Sequence, residues 1–589
     1  MSIILIGTNN VSAWFGENKM SQEVQAHSEF EKISLRRKEL QAVGEVPDWY
    51  TTQALIMFER KYAYKGETVK GAFNRIADRL SKHYTIDPEL ARKKFYHIMW
   101  KGFLAPSTPV MCNTGTNRGL VVSCAGSYVE DSIYGFYDTA LEVAVLSKHG
   151  FGTSTYLGDI RPRGTIVNSG GHADGVVNVF DTYTDVTAKV SQGSNRRGQC
   201  GNYLPLDHDD FWELAGYILK NPASANIGWM LSAEVISLLQ QNDLEMVKRF
   251  NRVMYLRART GKGYIWKPDT ANRLAPQPIK NSGIPIKASN LCVEIALPQD
   301  EDHTFTCVLS SLNLSKWDLF EEDTIYWAIA FLDCVVSEML EQSKDIRGLE
   351  KAVRFTEKSR ALGLGTLGYH TYLQSKSMPF EGLHAHITNN VIFKKIEEES
   401  IKATKMLGSL YGEPEWCKGT GQRNATVNAI APNMSSAVLA GSVSQGIEPI
   451  VSNCFNQKTA AGELTRMNPM LVGIMRERGV YSTELMDELA MKYEGSVQHV
   501  DWLTEHEKKV FKTAYEMNQA ILVRKASKRQ RRIDQGQSLN LFFAADEDEM
   551  VIAEVHKMAI LDLYIKGLYY LRSGRGLKAS TGECVACEG

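Results

Sequence analysis

The chain has 589 residues, of which 43% are hydrophobic and 23% charged, the balance of a soluble globular protein with room for two to four domains and a large core. Its 67 Lys and Arg against 68 Asp and Glu leave a formal charge of −1. That excludes the basic field needed for non-specific binding to nucleic acid or an anionic membrane, so any phosphate recognition has to be local.

The opening Ser2-Ile3-Ile4-Leu5-Ile6 is short and lacks a basic flank, so it reads as a strand and not as a signal peptide. No apolar run reaches the roughly 18–20 residues of a membrane span. A cytoplasmic chain is therefore expected, with its ten cysteines mostly reduced. Residues 1–105 read as mainly helical. Within them, 69–80 carry apolar residues at three- and four-residue spacing. Residues 106–570 alternate short apolar runs, such as 119–124 and 290–295, with amphipathic helices such as 325–340, which predicts an α/β sheet or barrel. Two Gly-rich polar stretches, 161–175 and 191–202, are too long for simple connectors. Residues 571–589 form a Gly- and Ser-rich tail expected to be flexible.

The chemistry concentrates on cysteines. If Asn290-Leu291-Cys292-Val293-Glu294-Ile295 is extended, Asn290, Cys292 and Glu294 share one face and the apolar residues share the other. A half-buried strand with a core cysteine fits that pattern, and so does a thiol set between an amide and a carboxylate. The chain ends in Cys584-Val585-Ala586-Cys587. This pair is either an exchangeable disulfide or half of a zinc site, and no second Cys-x-x-Cys supplies the other half.

Residues 290–298 resemble the finger-loop signature of the ribonucleotide reductase large subunit. Ser123-Cys124 and Thr306-Cys307 resemble the two segments of that family's redox pair. Tyr569-Tyr570 resembles the tyrosine pair of class I members, and the terminal Cys-x-x-Cys resembles their shuttle. All five landmarks fall in the family's order. The resemblance implies a ten-stranded α/β barrel with a central finger loop, preceded by a helical N-terminal domain. It implies a cytoplasmic oxidoreductase that makes deoxyribonucleotides from ribonucleoside diphosphates by thiyl-radical chemistry.

In that reading Cys292 takes the 3′ hydrogen, Glu294 acts as general base, Asn290 orients the sugar, and Cys124 with Cys307 supplies two electrons. Cys584 and Cys587 re-reduce the pair, and Tyr569 and Tyr570 relay the radical. No cofactor or metal is expected in this chain. The radical comes from a metal-containing small subunit, and thioredoxin or glutaredoxin is the reductant.

The resemblance also assigns substrate contacts to Thr108, Ser123, Asn433, Ser435 and Ser436, although Asn433 and Met434 depart from the usual residues of the diphosphate loop. Nucleoside triphosphate effectors are assigned to Asp131, Arg161, Gln192 and Arg197, at a homodimer interface. Only 123 residues precede Cys124, which implies no N-terminal ATP-cone. Two alternatives remain: an adenosylcobalamin-dependent reductase, and a catalytically silent nucleotide-binding paralogue.

Overall fold

A computed structural model describes residues 30–573 except 169, 191–197 and 460–461. Helices dominate residues 30–100. Helix α1 (Val69–Leu80) starts where the Thr68 hydroxyl accepts from the Gly71 N–H. It buries Val69, Ala72, Phe73, Ile76, Ala77 and Leu80 on one stripe. Helix α2 (Pro88–Trp100) packs beside it, with Pro at its first turn and Asp87 as cap. Two further helices are used below, α3 (Ile133–Lys148) and α4 (Thr324–Ser343).

Nine strands form the main sheet: β1 (Leu104–Pro106), β2 (Cys124–Tyr128), β3 (Gly152–Tyr156), β4 (Cys200–Pro205), β5 (Ile227–Met230), β6 (Tyr264–Trp266), β7 (Phe305–Asn313), β8 (Leu362–Leu367) and a distal strand, Gly567–Leu568. Strands β2 to β6 run parallel in sequence order, joined by helical crossovers, whereas β7 runs antiparallel to β1 and β2 and parallel to β8. The sheet curls because hydrogen bonding continues past β8. Asn428 bridges Leu364, Ile430 bridges Gln537, and the Tyr569 N–H donates to Leu539 O. Leu571 N–H then returns to Gly261 O beside β6. The polar segment 534–540 is thus built into the wall of the curled sheet.

The helix predicted at 69–80 is observed at those residues. The helix predicted as amphipathic at 325–340 is α4, and it is buried on nearly every side. It packs against α2, β7, β8 and the long helix Leu383–Tyr411, which together cover most of its circumference. No helix among the described residues is long and apolar enough to cross a membrane.

Candidate active site

The site begins with a register. In the antiparallel pairing of β2 with β7, Cys124 and Cys307 are direct partners. Opposed residues in such a pair have Cα atoms about 4.5–5.5 Å apart, within the span of a disulfide. Both cysteines are buried in one apolar cluster with Cys292, Tyr203, Tyr264, Tyr569 and Tyr570. A Cβ on Gly363 would fall 3.1 Å from Cys307 Sγ and 2.4 Å from Leu309, so the glycine leaves room for the sulfur. Burial pushes the Cys307 thiol well up, the Glu294 charge pushes it further, and the Gln535 N–H opposes both.

Residues 288–299 are all buried, yet they form neither strand nor helix. The extended reading of 290–295 is therefore corrected to a turn. Val293 N–H donates to Asn290 O at 3.2 Å, and Val293 adopts a left-handed φ of 68°. The cause lies in side chains that no local periodicity reveals. Asn290 Oδ1 accepts from the N–H groups of Glu294 and Ile295, both at 3.1 Å. Tyr203 OH donates to Asn290 O at 2.6 Å, and Ser538 Oγ to Cys292 O at 2.6 Å. Gly536 N–H donates to Glu294 O at 2.7 Å. Buried backbone groups are satisfied here by side chains and a distant segment in place of regular pairing.

The loop touches the cysteine pair through Asn290, whose Nδ2 donates to Cys124 Sγ at 3.2 Å. Glu294 Oε2 lies 3.2 Å from Ser538 Oγ. Close approach is possible because Gly201 faces the loop: a Cβ there would sit 3.1 Å from Leu291 Cα. On the other side, a Cβ on Gly567 would fall 2.5 Å from Val293 Cγ1.

Tyr569 and Tyr570 follow that glycine and are buried. Their ring centroids are 4.0 Å apart, and Tyr264 packs against both, tilted to Tyr569 at 4.9 Å and edge-on to Tyr570 at 5.8 Å. The structure therefore brings Asn290, Cys292, Glu294, Cys124, Cys307, Tyr569 and Tyr570 into one buried cluster or its immediate wall. Sequence reasoning missed Tyr203, Tyr264, Gln535 and Ser538. The only signal was Asp534-Gln535-Gly536-Gln537-Ser538, a polar run within a region read as alternating apolar runs and amphipathic helices.

Other predicted residues lie around the cluster. Ser123 Oγ donates to Ser107 Oγ at 3.2 Å, and Thr108 Oγ1 is 2.8 Å from Tyr62 OH. Asn433, at a left-handed φ of 58°, precedes the short helix Met434–Leu439 that buries Ser435 and Ser436. Its amide donates to Thr366 O and Ala431 O and accepts from Ser311 Oγ. Asp131 is ion-paired with Arg161 at 2.5 Å. Gln192, Arg197, Cys584 and Cys587 lie outside the described residues, as does the opening strand. Among the described residues, the one His/carboxylate group with ligand spacing is His83, Glu338 and Glu341, far along the helical side, where Arg79 already pairs with both carboxylates.

Comparisons with known proteins agree on one family. A model described as the ribonucleotide reductase barrel domain matches residues 122–223, 239–416 and 414–571, and one for its all-alpha domain matches 48–119. The ribonucleoside-diphosphate reductase large subunit of Invertebrate iridescent virus 3 is 31% identical, covering 87% of this chain and 94% of its own. A vitamin B12-dependent ribonucleoside-diphosphate reductase of Thermoplasma acidophilum is 30% identical, covering 88% and 70%. The solved Actinobacillus ureae class Id ribonucleotide reductase alpha subunit superposes with a TM-score of 0.82 at 34% identity, covering 90% of this chain and 99% of that one.

Proposed function

The chain belongs to the ribonucleotide reductase large-subunit family, and from that premise we propose that it is the catalytic subunit of a class I ribonucleoside-diphosphate reductase. The observation that carries the reading is the convergence at Asn290. The side chain that folds the loop bearing Cys292 and Glu294 also donates to Cys124, whose strand partner is Cys307.

Removal of a ribose 2′-hydroxyl needs an activated sugar, because hydroxide leaves poorly from an unactivated carbon. Cys292 Sγ, as a thiyl radical, takes the 3′ hydrogen atom, and Glu294 holds the 3′-hydroxyl proton. The 2′ C–O bond then breaks, with water as product. Cys124 and Cys307 give up two hydrogen equivalents and become a disulfide, and Cys292 recovers its radical when the 3′ hydrogen returns. A dry, apolar surround keeps the radical from solvent. The terminal Cys584–Cys587 pair reduces the new disulfide by thiol exchange, with thioredoxin or glutaredoxin beyond it.

The oxidising equivalent comes from a metal-bearing small subunit and passes through Tyr570 and Tyr569. The buried cluster of three tyrosine rings in contact supports this route. It also weighs against the cobalamin-dependent reading that the Thermoplasma relative raises. The substrate diphosphate sits near Ser435, Ser436, Thr108 and Ser123. Effectors contact Asp131, Arg161, Gln192 and Arg197. Beside them, α3 exposes Ile133, Tyr134, Tyr137 and Leu141, an apolar face suited to a homodimer.

Turnover with a radical-bearing small subunit and a small dithiol tests the reading. Cys292→Ser is expected to abolish deoxynucleotide formation while nucleotide binding persists. Tyr569→Phe and Tyr570→Phe are each expected to block turnover. Cobalamin-supported turnover without a second protein would move the chain to the other class.

A further inference from the structure

Segment 534–540 contributes two of the hydrogen bonds that shape the Cys292 loop, and one of its side chains reaches the opposite end of the cysteine chemistry. Gln535 Nε2 lies 3.4 Å from Cys307 Sγ. The same amide reaches the loop, since its Oε1 accepts from Ala296 N–H at 3.1 Å. Nε2 also donates to Leu362 O at 2.8 Å and approaches Thr426 Oγ1 at 3.0 Å. The orientation is fixed chemically: a flipped amide would set its oxygen against Leu362 O and its N–H against Ala296 N–H.

We propose that Gln535 is a positioning residue for the sulfur of Cys307, holding it at the loop and stabilising the negative charge it acquires as the Cys124–Cys307 disulfide forms. This deepens the reductase reading and rests on it. The step balances as follows: each thiol loses one proton and one electron, the S–S bond forms, and the 2′ C–O bond is replaced by C–H with release of water. As a thiol proton leaves, its sulfur becomes anionic in a site that burial makes hostile to charge.

Both sulfurs then carry an amide N–H, Asn290 on Cys124 and Gln535 on Cys307. The groups facing Cys307 include Cys124 across the strand pair, the Glu294 carboxylate, and Asp534 behind Gln535. Both carboxylates oppose charge on the sulfur, which leaves the amide as its named support.

The backbone under Gln535 is rigid. The Asp534 carboxylate accepts from the N–H groups of Val427, Asn428 and Gln535 at 2.6, 2.9 and 2.9 Å. Lys566 Nζ donates to Asp534 O and Gln535 O at 2.7 and 2.6 Å. Few torsions remain through which the amide could drift from the sulfur.

The test uses the full chain with its small subunit and a small dithiol, and compares wild type with Gln535→Glu, Gln535→Met and Thr426→Val. Readouts are kcat, KM, the pH profile of kcat between pH 6 and 9, and thiols lost per deoxynucleotide in a single turnover. Gln535→Glu and Gln535→Met are expected to lower kcat by about tenfold or more while KM stays within about twofold. Their pH limbs should move upward, with the carboxylate variant moving further. Thr426→Val removes the acceptor that competes for the amide, so its limb should move downward, a sign that lost packing alone does not produce. Wild-type kcat and an unchanged limb in both Gln535 variants would overturn the proposal while leaving the enzyme assignment standing. Wild type that makes no deoxynucleotide would overturn both.

Discussion

Asn290→Ala is the sharpest perturbation of the buried loop. The wild-type amide is fully enclosed and serves the N–H groups of Glu294 and Ile295, each at 3.1 Å. Truncation to Ala leaves two buried donors without their acceptor, at about 1–3 kcal/mol each, so local stability falls by about 2–6 kcal/mol. The left-handed Val293 adds to the tendency to open, since a β-branched residue holds that φ only when its neighbours enforce it. Hydrogen–deuterium exchange read on a peptide covering 288–297 measures this directly. Even the lower figure raises local opening about 30-fold. Asn290→Asp is the control. It keeps an oxygen for both N–H groups and exchanges the donor to Cys124 for a second carboxylate oxygen. Its loop protection should stay within a few-fold of wild type, while turnover drops by about tenfold or more. An Asn290→Ala loop as protected as wild type would refute the claim that this side chain folds the loop.

Three further outcomes follow from other parts of the fold. His370 and His556 are fully buried, and burial depresses both to about 3, helped at His556 by the Arg257 charge. The unfolded chain therefore binds more protons below about pH 6.5, and stability is lost as pH falls: about 2 kcal/mol per histidine between pH 7 and 5. Denaturant midpoints across that range measure it, and His556→Gln should remove about half of the slope. Asp333 is buried against Arg360 at 2.8 Å, with Asn424 on the same oxygen. Asp333→Ala should cost about 3–5 kcal/mol in denaturant unfolding, partly recovered by adding Arg360→Met. Gly567→Ala would drive a Cβ to 2.5 Å from Val293 Cγ1. Turnover should fall sharply and the melting temperature should fall with it, because the same Cβ also meets Ile265 O of β6 at 2.7 Å; a fully active Gly567→Ala would contradict that packing.

The residues carrying the proposed chemistry were legible because their types are distinctive and their order is fixed. Cys124, Cys292, Cys307 and the tyrosine pair were assigned from the chain and are found in one cluster. The local conformation of 290–295 was not legible. Its alternating pattern satisfies a strand, but the turn is decided by Tyr203, Gly536 and Ser538, residues 87 to 246 positions distant from their loop partners. Helix α4 shows a similar limit. Its period identifies an apolar stripe, but only the packed neighbours determine that the remaining faces are covered too. Asp131 and Arg161 were each assigned to an effector, and their mutual ion pair could not be read from residues thirty apart.

The same distant segment explains how two chemically separate parts of the site stay in register. Gln535 reaches Cys307, Gly536 and Ser538 hold the backbone of the Cys292 loop, and Leu539 and Asn540 accept the N–H groups of Tyr569 and Tyr570. Five of seven consecutive residues thus touch the reductant pair, the loop and the tyrosine pair in turn. Radical transfer and substrate reduction both fall steeply with distance, so a shift of one part alone would be costly. A continuous stretch of backbone, bonded on one side to Ile430 and on the other to Tyr569, moves its attachments together or not at all. That arrangement accounts for glycine at 536, where a Cβ would press to 2.9 Å from Glu294 O. The close backbone approach keeps loop and segment in one register.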